Sequence, residues 1–266
     1  MAKEYTMFHI PVFSFYSRRL YRDIAANGKG TGFLYLFFIL TVCLIPITIN
    51  MQSGINKFIE EDAPKIVNQI PKMTFVKGVL SIDEPQPYTI DDPDTGNPLI
   101  IIDTTGKTEN LNNTKAFGLL MKDRGLFRES SIQTKVYSYS EIKNDFVLTH
   151  DKINKWMLFF KKNAMWILGP IMLISLFVFR IIQLLIYAGI GMIFVNTLDK
   201  KLSYRTVLRL STAAITPFII MGMFFDLANF FIPFRGLIFL VGALYYLYFG
   251  ISSCQDSAET TVEVVS

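Results

Sequence analysis

The stretch at residues 164–195 constrains this chain most: 32 consecutive residues carry one charged side chain, Arg180. A bilayer-spanning helix needs about 20 mostly apolar residues. Three further runs reach or approach that length, at 32–49, 211–231 and 237–251, and only Asp226 interrupts them with a charge. Composition agrees, with 51% hydrophobic and 18% charged residues, against about 25% charged in an ordinary soluble domain. The expected fold class is an α-helical integral membrane protein with four transmembrane helices and an inserted extracytoplasmic β-containing (α+β) domain.

Charge sets the expected orientation, because basic loops stay on the cytoplasmic side. Arg18, Arg19, Arg22 and Lys29 precede the first run, which starts too late and is too long for a cleaved signal peptide. Residues 50–162 balance fifteen basic against fifteen acidic side chains and fall outside the cytoplasm. The next loop, 197–210, carries Lys200, Lys201, Arg205 and Arg209 against Asp199 and reads as cytoplasmic. Returning to the cytoplasm takes an odd number of crossings, so 163–196 reads as one tilted helix. Its apolar run would be about 48 Å long. A hairpin turning at Arg180, giving five spans, is the alternative. The expected order is a segment at 1–31, a span at 32–49, the outer domain at 50–162 and the long span at 163–196. The basic loop at 197–210, spans at 211–231 and 237–251 and a disordered cytoplasmic tail at 252–266 complete it.

Before the first span, Phe8, Ile10, Val12, Phe13, Phe15, Tyr16 and Leu20 alternate with arginines. The pattern predicts an amphipathic helix capped by Ser14, either lying in the inner interface or packed on the bundle's end. Arg18, Arg19, Arg22, Lys200, Lys201, Arg205 and Arg209 are the candidate interfacial basic residues. In the outer domain, strand patterns recur at 73–80, 99–104 and 131–138, with helices expected at 53–67 and 139–160.

Several chemistries fall away. Two cysteines about 200 residues apart and two histidines exclude a disulfide framework and a thiolate or histidine metal site. No cofactor is expected. A net charge of +4 without a basic patch excludes nucleic acid. Asp103-Thr104-Thr105-Gly106 superficially matches an aspartic-protease loop, but no second copy supplies the paired carboxylate, so it reads as a strand ending in a turn. Gly106-Lys107-Thr108 lacks the earlier glycine of a phosphate loop, position 101 being Ile. Charges within spans are costly, which singles out Arg180 and Asp226 as a candidate intramembrane polar pair, with two independently snorkelling side chains as the alternative.

Taken together, Phe13-Ser14-Phe15-Tyr16, Gly30 and Gly32, the stretch at 70–81, Ile101 to Gly106, Leu202-Ser203-Tyr204-Arg205 and Thr216-Pro217 resemble the bacterial domain-of-unknown-function 1189 family over nearly the whole length. The basic loop before a Thr-Pro span is also distantly similar to Yip-type membrane proteins. The resemblance implies a bacterial inner-membrane protein with an outward-facing domain and supplies no catalytic residues. The expected function is non-enzymatic. The outer domain would bind a partner or envelope component, and the bundle would dock on another membrane complex. A lipid or sugar transport component is the alternative, and a membrane hydrolase the least favoured. The bilayer and a membrane-protein complex are the expected partners, and the sequence leaves the oligomeric state open.

Overall fold

A computed structural model describes residues 5–112, 114–130, 133–142 and 144–254. In chain order it contains helices α1 (Ile10–Phe13), α2 (Arg18–Asn27) and α3 (Phe33–Lys57), which continues through a π turn (Phe58–Asp62) into α4 (Ala63–Val67). Strands β1 (Met73–Val76), β2 (Val79–Ile82), β3 (Tyr88–Asp91), β4 (Pro98–Ile102), β5 (Gly118–Leu120), β6 (Arg124–Arg128), β7 (Thr134–Ser138) and β8 (Phe146–Leu148) follow. Helices α5 (His150–Thr197), α6 (Tyr204–Leu227) and α7 (Arg235–Ser252) complete the order among the described residues. It divides into two compact units, one of Met1–Met51 with Met165–Ser266 and one of Gln52–Ala164. The expected tail beyond residue 254 lies outside the described residues.

Four helical stretches are long and apolar enough to cross a membrane: Phe33–Val67, His150–Thr197, Tyr204–Leu227 and Arg235–Ser252. The run around Arg180 is one uninterrupted helix of 48 residues. Pro170 removes a single ladder donor near its apolar start, and the helix carries through, as membrane helices commonly do. Within the first unit, Leu36, Leu184, Leu210, Ile215 and Leu247 are fully buried in one apolar core.

Two expectations shift here. Arg205 and Arg209 sit on α6, not in a loop, because Ser203 caps that helix with its hydroxyl accepting from the Thr206 amide. The N-terminal amphipathic segment breaks into α1 and α2, and the cap of α2 is Ser17, whose Oγ accepts from the Leu20 amide at 3.3 Å. Ser14 is instead buried, and its carbonyl accepts from the Tyr21 hydroxyl at 2.9 Å. Leu20 and Tyr21 are fully buried, Arg22 Nε donates to the Ser253 carbonyl at 2.6 Å, and the Tyr246 hydroxyl donates to the Phe15 carbonyl. This segment therefore packs on the ends of the bundle helices, while Phe8, Val12 and Tyr16 stay exposed.

The second unit holds an antiparallel sheet ordered β2-β1-β8 and a five-stranded sheet ordered β3-β4-β5-β6-β7, in which only β4 and β5 run parallel. Alternation along β4 sends Ile102 into a core with Phe75, Leu80, Ile90 and Tyr139, and Ile101 into one with Leu111, Ala116 and Leu119. The single strand expected at 73–80 is a hairpin. Lys77 (φ 50°) and Gly78 (φ 75°) fold it, and a Cβ on Gly78 would lie 2.8 Å from the Tyr139 carbonyl oxygen. The helix expected at 139–160 starts only at His150, because Tyr139–Glu141 form a 3-10 turn and Phe146–Leu148 form β8. The strand expected at 131–138 begins outside the described residues and is seen from Thr134.

Candidate functional site

A polar stripe inside the helical unit is built on one face of α5. Arg180, Gln183 and Tyr187 are spaced three and four apart, which aligns them on one helical stripe. Arg180 donates to Gln183 Oε1, and Gln183 Nε2 donates to the Tyr187 hydroxyl at 2.7 Å. The stripe borders a cavity of about 540 Å³ whose walls also include Cys43, Gly222, Asp226 and Arg235.

Arg180 and Asp226 thus line the same space, but no direct ion pair joins them. Asp226 accepts from Arg235 Nη1 at 2.5 Å, and Arg180 is held by a neutral amide. The geometry of the α6–α7 turn explains the exchange of partners. Asn229 and Phe234 adopt left-handed backbone (φ 50° and 55°), which brings the first residue of α7 back against the end of α6. Arg180 Nε is buried without a partner among the described residues. Its guanidinium lies 6.0 Å from the Phe179 ring centroid, and that of Arg235 lies 6.0 Å from the Phe239 ring. The arrangement offers cationic hydrogen-bond donors in an apolar enclosure, without a nucleophile and base aligned for covalent chemistry.

The basic residues expected at the inner interface divide by role. Arg209 donates to the carbonyls of Ala25 and Gly30 and so ties α6 to the end of α2 and its glycine-rich exit. Arg22 closes the end of α7 through Ser253, and Arg18 stacks over Phe249 at 5.1 Å. Arg19, Lys201 and Arg205 are exposed, and Lys200 is half-buried, its amide donating to the Val195 carbonyl. A second cavity of about 430 Å³ lies beside Asp23, Lys29, Arg209 and Thr212.

In the second unit, Asp103 is a fully buried loop anchor. Its Oδ1 accepts from the amide and hydroxyl of Thr105, at 2.9 and 2.6 Å, and its Oδ2 accepts from the Thr108 amide at 2.6 Å. Burial pushes its pKa up, but these hydrogen bonds outweigh burial and hold the carboxyl below its ordinary range. Burial raises the Tyr139 hydroxyl to about 12. His150 is exposed at the start of α5. No three metal-ligating side chains converge among the described residues. Reading residues singly missed Tyr187 and Arg235. The spacing 180-183-187 is the signal for Tyr187, whereas Arg235 needed the turn geometry.

A family model whose description is protein of unknown function DUF1189 matches residues 8–251. The chain belongs to the DUF1189 family. A relative of this DUF1189 protein, the uncharacterized protein RP489 of Rickettsia prowazekii (strain Madrid E), is 26% identical over 216 residues, covering 71% of this chain and 73% of the relative. No solved structure matches.

Proposed function

We propose that this DUF1189 protein is a non-enzymatic accessory or regulatory protein of the bacterial cytoplasmic membrane. It spans the bilayer four times with both termini inside and its β unit outside. Loop charge supports the orientation, since the basic residues before α3 and around the start of α6 belong on the cytoplasmic side. The β unit binds a partner protein, and the helical bundle docks on the partner's membrane portion.

One observation carries the partner-binding reading: every residue of the edge strand β7 is exposed, Val136 and Tyr137 by more than half. The Glu129 amide bonds the Gln133 carbonyl, and the Tyr139 amide bonds the Asp123 carbonyl. Antiparallel ladders alternate, so residues 135 and 137 turn toward β6, while Thr134, Val136 and Ser138 present their backbone groups at the free edge. Such an edge is a template for a strand from another chain.

Val136→Pro removes an outward donor without costing a β6 bond. Full-length protein purified in mild detergent should carry a stoichiometric partner, and Val136→Pro should weaken its retention about tenfold, roughly the 1.4 kcal/mol of one lost hydrogen bond. Retention unchanged by the substitution, or a partner-free monomer carrying bound lipid, would contradict this reading. The second outcome would favour the transport alternative, which the cavity beside Arg180 and Asp226 supports.

A further inference from the structure

The cavity between α3, α5, α6 and α7 has an unbalanced charge. Its walls hold two guanidiniums, Arg180 and Arg235, and one carboxylate, Asp226. Asp226 is engaged by Arg235, leaving Arg180 among the described residues with the neutral Gln183 amide and the Phe179 ring, and with Nε buried and unpartnered. An uncompensated cation in an apolar enclosure is costly and is ordinarily met by an anion or by water. Apart from Gln183 and Tyr187, the remaining walls are apolar, including Leu40, Leu44, Leu176, Ile219 and Leu240. Phe179, Ile182 and Ile186 line the cavity and are also exposed on the outer side of α5. The space is therefore reached laterally, from where acyl chains would lie.

From this we infer that the cavity is a binding site for a monoanionic amphiphile. An acidic head group, carboxylate or phosphodiester, bonds Arg180 beside the Asp226–Arg235 pair, and its chain lies along the apolar walls. Guanidinium suits the task because its planar fork pairs two acidic oxygens at once. One negative charge neutralises the site, and a neutral head group leaves Arg180 as it is. The inference rests on the membrane reading of the helices and is independent of partner binding at β7.

The test uses full-length protein in maltoside micelles titrated with oleate, dioleoyl phosphatidylglycerol and the uncharged oleyl alcohol, followed by calorimetry and thermal shift. At least one anion should bind about tenfold or more tighter than the alcohol, the discrimination expected of one charge-assisted pair. Preference for oleate identifies a free fatty acid as the source, and preference for phosphatidylglycerol a membrane phospholipid. Arg180→Gln should abolish the preference, and Arg180→Lys should retain part of it. Gly222→Leu supplies a check that leaves both arginines in place. A Cβ there meets only the Phe239 ring, at 3.4 Å, so the larger side chain fills the cavity and should weaken anion binding. Equal affinity for the alcohol and the anions, no binding by either anion, a preference that survives Arg180→Gln, or anion binding undiminished by Gly222→Leu would overturn the assignment.

Discussion

Tyr21→Ala should lower the stability of the detergent-solubilised protein by about 3–5 kcal/mol, the range for deleting a fully buried aromatic ring. For a unit of this size that is a fall in melting temperature of roughly 6–20 degrees. Tyr21 is completely buried, packs edge-on against Phe249 with ring centroids 5.9 Å apart, and satisfies the Ser14 carbonyl. Gly250 permits this approach, since a Cβ there would stand 2.5 Å from the Tyr21 ring. Tyr21→Phe keeps the ring and should cost only about 1 kcal/mol for the lost hydrogen bond. Loss of the ring with a change below about 0.5 kcal/mol, as for an ordinary surface position, would show that α2 is not docked on the bundle.

Asp103→Ala should destabilise the β unit by about 3 kcal/mol, because hydrogen bonds to a charged group are worth roughly 1.5–3 kcal/mol each and part of the loss is recovered by water. Asp103→Asn should also destabilise, since an amide places a donor opposite a donor on one side. The carboxyl is held below its ordinary range, so it binds a proton more readily in the unfolded chain. Its contribution is complete above the unfolded value of about 4 and is lost as pH falls through the lower folded value. Denaturation of the full-length protein as a function of pH, with amide exchange followed across residues 103–117, checks this. The wild type should lose stability on acidification more steeply than Asp103→Ala. Parallel pH profiles would contradict the anchoring role.

The four long apolar helices were legible because a candidate span needs only length and freedom from charge, which a sequence displays directly. What lay beyond it depended on local contacts. Ser17 and Ser14 are equivalent as caps in composition, and the choice was decided by burial of Ser14 beneath Tyr21. Positive charge suggested loop at Arg205 and Arg209, but Ser203 starts the helix before them. In the β unit, β4 announced itself through three consecutive isoleucines, whereas β5 and β8 have three residues each, too short for alternation to register. Gly78 within an apolar run was the available sign of the β1–β2 hairpin. The cavity was half legible. Arg180 and Asp226 stand out as charges within spans, but their partners Gln183 and Arg235 follow from helical spacing and from the left-handed residues of a turn.

Orientation is the claim on which the rest depends, and single-cysteine labelling tests it most directly. With Cys43 and Cys254 replaced, Lys107→Cys and Lys201→Cys each place one thiol at an exposed position, the first in the β4–β5 connection and the second in the α5–α6 loop. In intact cells with a permeabilised outer membrane, an impermeant maleimide should label position 107 at once and position 201 only after lysis. Labelling of position 201 from outside, or protection of position 107 until lysis, would contradict the four-span arrangement with the β unit outside the cytoplasm.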